Sequence, residues 1–143
     1  VQVECLGRIG FMLLERSPEQ AERYLLEGFR IAKLFFPKGV PTCFSKLARL
    51  RLAQGRPIEA IQLAHHALNR PSAQVRPAYV RETIARAYLK LGRKENALAE
   101  LRTAIATERA RVLNLPFADD VQISHENSIQ PFFELFALTA AEL

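Results

Sequence analysis

Three histidines, two cysteines and a short acidic run are the residues best equipped for chemistry. His65 and His66 are adjacent. In a helix successive side chains diverge by about 100°, so the pair cannot easily share one metal ion. No cysteine or carboxylate stands at ligand spacing beside them. Asp119, Asp120, His125 and Glu126 crowd together near the C-terminus, but the run lacks the glycine and alternating oxygen ligands of a calcium loop. Cys5 and Cys43 are too few for a framework of bridges or metal ligands. Neither has a local nucleophile signature. They read as reduced, largely buried thiols of a cytosolic protein, and the expected localisation is cytoplasmic. No glycine-rich phosphate loop is present. The sequence therefore assigns no catalytic residue, no metal and no cofactor, and the expectation is a protein that binds rather than catalyses.

Charge is more informative. Residues 1–40 carry 6 basic and 5 acidic side chains, residues 41–113 carry 14 and 5, and residues 114–143 carry none and 5. A basic middle, net +9, is followed by an acidic end, net −5. The balance favours acidic partners without choosing among peptide, nucleic acid and membrane surface. No apolar run reaches the roughly 20 residues of a membrane span, so no membrane partner is assigned. Glu4 and Arg8 interrupt the apolar N-terminal segment, which lacks a signal peptide's layout. A length of 143 residues suits one domain, 1–143. The chain begins with Val1, inside the first expected helix, and is therefore expected to be a piece of a longer protein.

The elements that must position these charges are helical. In Pro77 to Ala106, Ile84, Ala85, Tyr88 and Leu91 form one apolar stripe, and Ala97, Leu98, Leu101, Ala104 and Ile105 another. Gly92 supplies the tight turn between them. The same pattern occurs earlier: Gly55 lies 37 residues before Gly92, and Ala60, Ala64 and Ala67 follow it as Ala97, Leu101 and Ala104 follow Gly92. A first pair spans 1–36, with helix one ending near Glu15 and helix two opening at Ser17-Pro18-Glu19-Gln20. There Ser17 and Gln20 can form a capping box and Pro18 suits the first helical position. Pair two covers 42–69 and pair three 77–110. A loop is expected over 111–128, because LPFADDVQISHENS shows no helical period, and a capping helix over 129–143 with Pro131 near its start.

The run from Pro77 resembles a tetratricopeptide repeat (TPR). Tyr88, Gly92, Ala97, Leu101 and Ala104 fit that family's spacing, while Arg81 and Ala85 stand at its tryptophan-like and glycine positions. The resemblance implies an all-α fold: a right-handed superhelix of about three helix pairs plus the C-terminal capping helix. It further implies a non-enzymatic scaffold that takes a peptide or partner helix in a concave, partly basic groove lined by the first helix of each pair. Carried over residue by residue, the peptide-binding candidates are Lys46, Arg49, Tyr79, Arg86 and Lys90. Thr42, Ser45 and Leu52 of pair two, Glu82, Thr83 and Leu89 of pair three, and Leu6, Gly10, Leu13 and Leu14 of pair one also fall near the groove. The matching partner is a protein or peptide with acidic and apolar groups.

Two alternatives remain. ARLRLAQGRPIEAIQLAHHAL resembles the helical repeats of MalT-like regulators, which implies a regulatory or ligand-sensing domain of a larger bacterial transcriptional regulator. An RNA-binding helical repeat, suggested by the basic middle, is the weaker one. Asp119 and Asp120, tethered after the last pair, are expected to pair weakly with Arg86 or Lys90 and to compete with an acidic ligand.

Overall fold

Proline punctuation explains where several helices begin. Proline lacks the amide hydrogen that a helix's first turn cannot use, and its fixed φ suits that position. In the computed structural model, Pro18, Pro57 and Pro77 each open a helix. The structure describes the backbone of residues 2–14, 16–70, 72–114 and 118–142, and the side chains of residues 6–10, 12–14, 16–70, 72–114 and 129–142. Among the described residues there are seven α-helices, one 3-10 turn and no strand. The helices are α1 (Gln2–Met12), α2 (Pro18–Phe35), α3 (Val40–Ala53), α4 (Pro57–Leu68), α5 (Pro77–Lys90), α6 (Lys94–Leu113) and α7 (Ala118–Ala141). The 3-10 turn, Pro37–Gly39, joins α2 to α3. The fold is all-α, and packing is mainly between consecutive helices. The chain divides into two compact units, Val1–Arg76 and Pro77–Leu143.

The α3–α4 and α5–α6 turns are closed by the same hydrogen bonds. Gly55 has φ of +73° and Gly92 of +72°, the left-handed conformation that glycine adopts without a Cβ penalty. After α3, the Gly55 amide donates to Leu52 O (3.1 Å) and the Arg56 amide to Arg51 O (2.8 Å). After α5, the Gly92 amide donates to Leu89 O (3.0 Å) and the Arg93 amide to Tyr88 O (2.9 Å). Each is a Schellman closure, which satisfies carbonyls left over at the helix end. The following helix then begins with an Ala60 amide bonded to Arg56 O, or an Ala97 amide bonded to Arg93 O, both at 3.1 Å. Such short turns make each pair antiparallel.

Small residues let the helices approach. Ala60 and Ala64 in α4, and Ala97 and Ala104 in α6, are fully buried. In the first unit Leu14, Ala21, Leu25, Leu47 and Leu50 form one cluster, and Ala32, Val40 and Cys43 another, with Phe29 and Phe44 against it. A Cβ on Gly10 of α1 would come within 2.7 Å of Leu25 Cγ, so α1 and α2 pack closely only because residue 10 is glycine. In the second unit Leu101 packs with Ala85 and Ala97, against Leu135 and Phe136 of α7. Ile129 and Phe132 of α7 pack with Ala78, Ala104 and Ile105.

Four expectations are corrected. Helix α1 ends at Met12, not near Glu15, and the turn is carried by the Arg16 and Ser17 amides, both bonded to Leu13 O. Ser17 precedes α2 but makes no side-chain cap, so no capping box forms there. The loop expected over 111–128 gives way to helix at both ends: α6 runs to Leu113 and α7 starts at Ala118. Pro131 lies inside α7 rather than near its start. An interior proline costs roughly 3 kcal/mol of helix stability. Burial of Ile129 and Phe132 on either side of it, at 3% and 0% exposure, offsets that cost.

Candidate binding site

A concavity lies in the first unit, where the C-terminal end of α2 and the start of α3 meet α1. Its volume is about 560 Å³, within the range of pockets that enclose small organic ligands. Leu25 and Gly28 of α2 and Cys43 of α3 line its inner wall. Phe35 and Phe36, at the end of α2, line it too and are 69% and 52% exposed. Arg8 of α1, Lys38 of the 3-10 turn and Lys46 of α3 supply three positive charges. None of the described lining residues is acidic.

Lys46 owes its place to Gly7. A Cβ at residue 7 would fall 2.5 Å from Lys46 Nζ and 3.3 Å from its Cδ, so the lysine runs across space that only glycine leaves open. Burial pushes the Cys43 thiol above its ordinary pKa, and the nearby Lys46 charge pulls it partly back. That thiol is therefore a poor nucleophile at neutral pH. One turn before Lys46, the Thr42 hydroxyl oxygen is buried and has no hydrogen-bond partner among the described residues.

The second unit offers an exposed face of α5. Tyr79, Glu82, Arg86 and Lys90 recur at helical spacing along it. The Tyr79 ring is 5.3 Å from Phe132, tilted by 60°. Arg86 donates to Glu82 Oε1 through Nε (2.8 Å), and its Nη2 lies 2.7 Å from the same oxygen. Lys90 is exposed. Thr83, expected near the groove, is instead 6% exposed and donates to its own helix at Tyr79 O.

Of the five sequence candidates, Lys46 and Arg49 lie on α3 of the first unit, and Tyr79, Arg86 and Lys90 on α5 of the second. Lys46 lines the pocket, Arg49 is exposed outside the pocket lining, and Arg86 is engaged by Glu82. Leu14 and Gly10, expected at the groove, are core: Leu14 joins the first unit's main cluster and Gly10 packs on Leu25. The sequence reading missed Gly7, Arg8, Lys38 and the Phe35-Phe36 pair. The signal was available in the two α1 glycines three residues apart and in a Phe-Phe-Pro-Lys-Gly turn that no core needed. The side chains of Cys5, Asp119, Asp120, His125 and Glu126 lie outside the described residues.

His65 and His66 are both exposed, and the His66 ring stacks on Phe44 at 5.2 Å. Among the described residues no cluster of three or more His, Cys, Asp or Glu could hold a metal ion. No helix among them is long and apolar enough to cross a membrane. Comparison with known families, curated proteins and solved structures gives no match to this chain. What the structure defines is therefore an all-helical protein of seven sequentially packed helices among the described residues, with a cationic, apolar-walled pocket in its first unit.

Proposed function

We propose that the chain is a non-enzymatic, TPR-like interaction module that binds a peptide or partner helix, with α3 of the first unit and α5 of the second each presenting a cation-bearing face. The observation that carries this reading is the paired Schellman closure at Gly55 and Gly92, repeated bond for bond at a spacing of 37 residues. Equivalent helix pairs present equivalent faces, and here the first helix of each carries cations: Lys46 and Arg49 on α3, Arg86 and Lys90 on α5. An acidic segment with apolar anchors complements them. The pocket favours a second reading, a ligand-sensing regulatory domain of a larger transcriptional regulator.

Fluorescence anisotropy with a labelled acidic amphipathic peptide tests the first reading. Binding is expected to weaken about tenfold in Lys46→Ala/Lys90→Ala, and to weaken further as salt rises. Unchanged affinity in the double variant overturns it. Tighter binding of single-stranded RNA than of any acidic peptide would favour the nucleic-acid alternative instead.

A further inference from the structure

We infer that the pocket of the first unit binds a carboxylate carried on an apolar body, with the carboxylate held by Lys46 and the body laid against Phe35 and Phe36. This inference shares Lys46 with the scaffold reading but needs only the first unit's pocket, so it can hold where that reading fails.

Three observations converge on that chemistry. The first is charge: Arg8, Lys38 and Lys46 line one pocket whose described lining carries no acid. A single anionic group entering it meets attraction from several sides and no like charge from the described lining. The second is hydrogen bonding. Thr42 and Lys46 lie four residues apart on α3, hence on one face, and both line the pocket. The Thr42 hydroxyl is buried and unpaired among the described residues, and an unmet buried hydroxyl is unfavourable. A carboxylate accepts from both the ammonium and the hydroxyl. The third is the wall. Leu25, Phe35 and Phe36 present apolar surface in the same pocket, and the two phenylalanines are largely open to solvent. An apolar body covering them gains the usual benefit of removing such surface from water.

The balance of these features selects the ligand class. Of the three cations only Lys46 is half-buried, and it crosses Gly7 at the pocket wall, whereas Arg8 and Lys38 are exposed. One placed cation beside a mostly apolar wall suits a singly charged head on a long or aromatic body better than a polyphosphate. Such a head occurs on a free fatty or aryl-alkyl acid and at the C-terminus of a peptide ending in an apolar residue.

Gly7 provides a test that does not damage the fold. Alanine there displaces only the far end of a flexible lysine, and within a helix alanine is intrinsically favoured over glycine. Isothermal titration of the full chain is run with 4-phenylbutyrate, decanoate and 4-phenylbutyramide. A second arm uses an N-acetylated peptide ending in phenylalanine, with its C-terminus free or amidated. At least one free carboxylate is expected to bind, and its amide about tenfold or more weaker. Lys46→Met and Gly7→Ala should each weaken the acid by about tenfold, with the unfolding temperature of Gly7→Ala kept or raised. Lys46→Arg should retain part of the affinity. Preference for the peptide assigns the carboxylate to a chain terminus and preference for the free acid to a small molecule, and either result supports the site. Equal affinity for acid and amide, full affinity in Lys46→Met, or no binding of any carboxylate at millimolar concentration overturns it. Inorganic phosphate competing as well as phenylbutyrate would overturn the apolar half of the inference.

Discussion

Gly92 has open space around its Cβ position, yet alanine should not be tolerated there. The reason is backbone conformation: φ is +72°, where an L side chain crowds its own carbonyl. Gly92→Ala is expected to destabilise the protein by about 1–2 kcal/mol in urea unfolding, and Gly55→Ala likewise. A neutral result would mean that the closures relax at no cost. A second residue-scale effect concerns Glu22. Its carboxyl is held below the ordinary value of 4.5, first by the hydrogen bond from Arg51 and then by that from Gln54, with burial opposing. The Arg51 Nη1 to Glu22 Oε1 distance is 2.7 Å, and it ties α2 to α3. A depressed carboxyl stabilises the fold above its unfolded pKa, and that stabilisation is lost as pH falls through the lower folded value. Glu22→Gln should therefore be less stable than the parent at pH 7 by up to about 1 kcal/mol. The gap should close as pH drops from 4.5 through that lower value. A gap that persists under acid would show that the glutamate acts through packing instead.

The helices differ in how far the sequence revealed them. Around Gly55 and Gly92 the apolar periods, the glycines and the proline starts all agree, so α3 to α6 were legible to within a few residues. Helix α1 was less so, because its end has no left-handed glycine and depends on Leu13 O accepting two amides. Helix α7 was misread at its start. A proline and a polar stretch argue locally against helix, while the burial of Ile129 and Phe132 farther along it is against Ala78, Ala104 and Ile105, distant in sequence. The pocket was legible only at Thr42 and Lys46. Gly7 and Lys46 are 39 positions apart in the chain, and nothing local announces that one makes room for the other. Glu108 shows the same limit: it is 1% exposed, a burial that composition does not suggest, and Arg111 donates to it from one turn on through two nitrogens, at 2.8–3.2 Å. Losing a charge-assisted partner leaves the buried Glu108 less well compensated, so Arg111→Met should cost about 1–3 kcal/mol. Thermal denaturation against the parent measures it, and a change within about 0.5 kcal/mol would show that Glu108 is satisfied without Arg111.

At the scale of the whole molecule, the two compact units each have their own core. Leu25, Leu47 and Leu50 anchor the first, Leu101, Ile129 and Phe132 the second. Leu101 is fully buried, packed between α5, α6 and α7. Truncating such a leucine loses its transfer energy and leaves a cavity, so Leu101→Ala should cost about 2–5 kcal/mol. Packing among the described residues runs mainly between consecutive helices. The loss should therefore be felt first where Leu101 packs. Hydrogen exchange resolves this in the intact chain, because amides exchange according to the free energy of the opening that exposes them. In Leu101→Ala, amides of α5, α6 and α7 are expected to exchange faster by at least tenfold, while those of α2 and α3 around Leu25 and Leu47 keep the parent's rates. Carboxylate binding at the first unit's pocket should then survive the substitution. Uniform acceleration across both units would show that they open as one cooperative body, and the division of the chain at Arg76 and Pro77 would carry no energetic meaning.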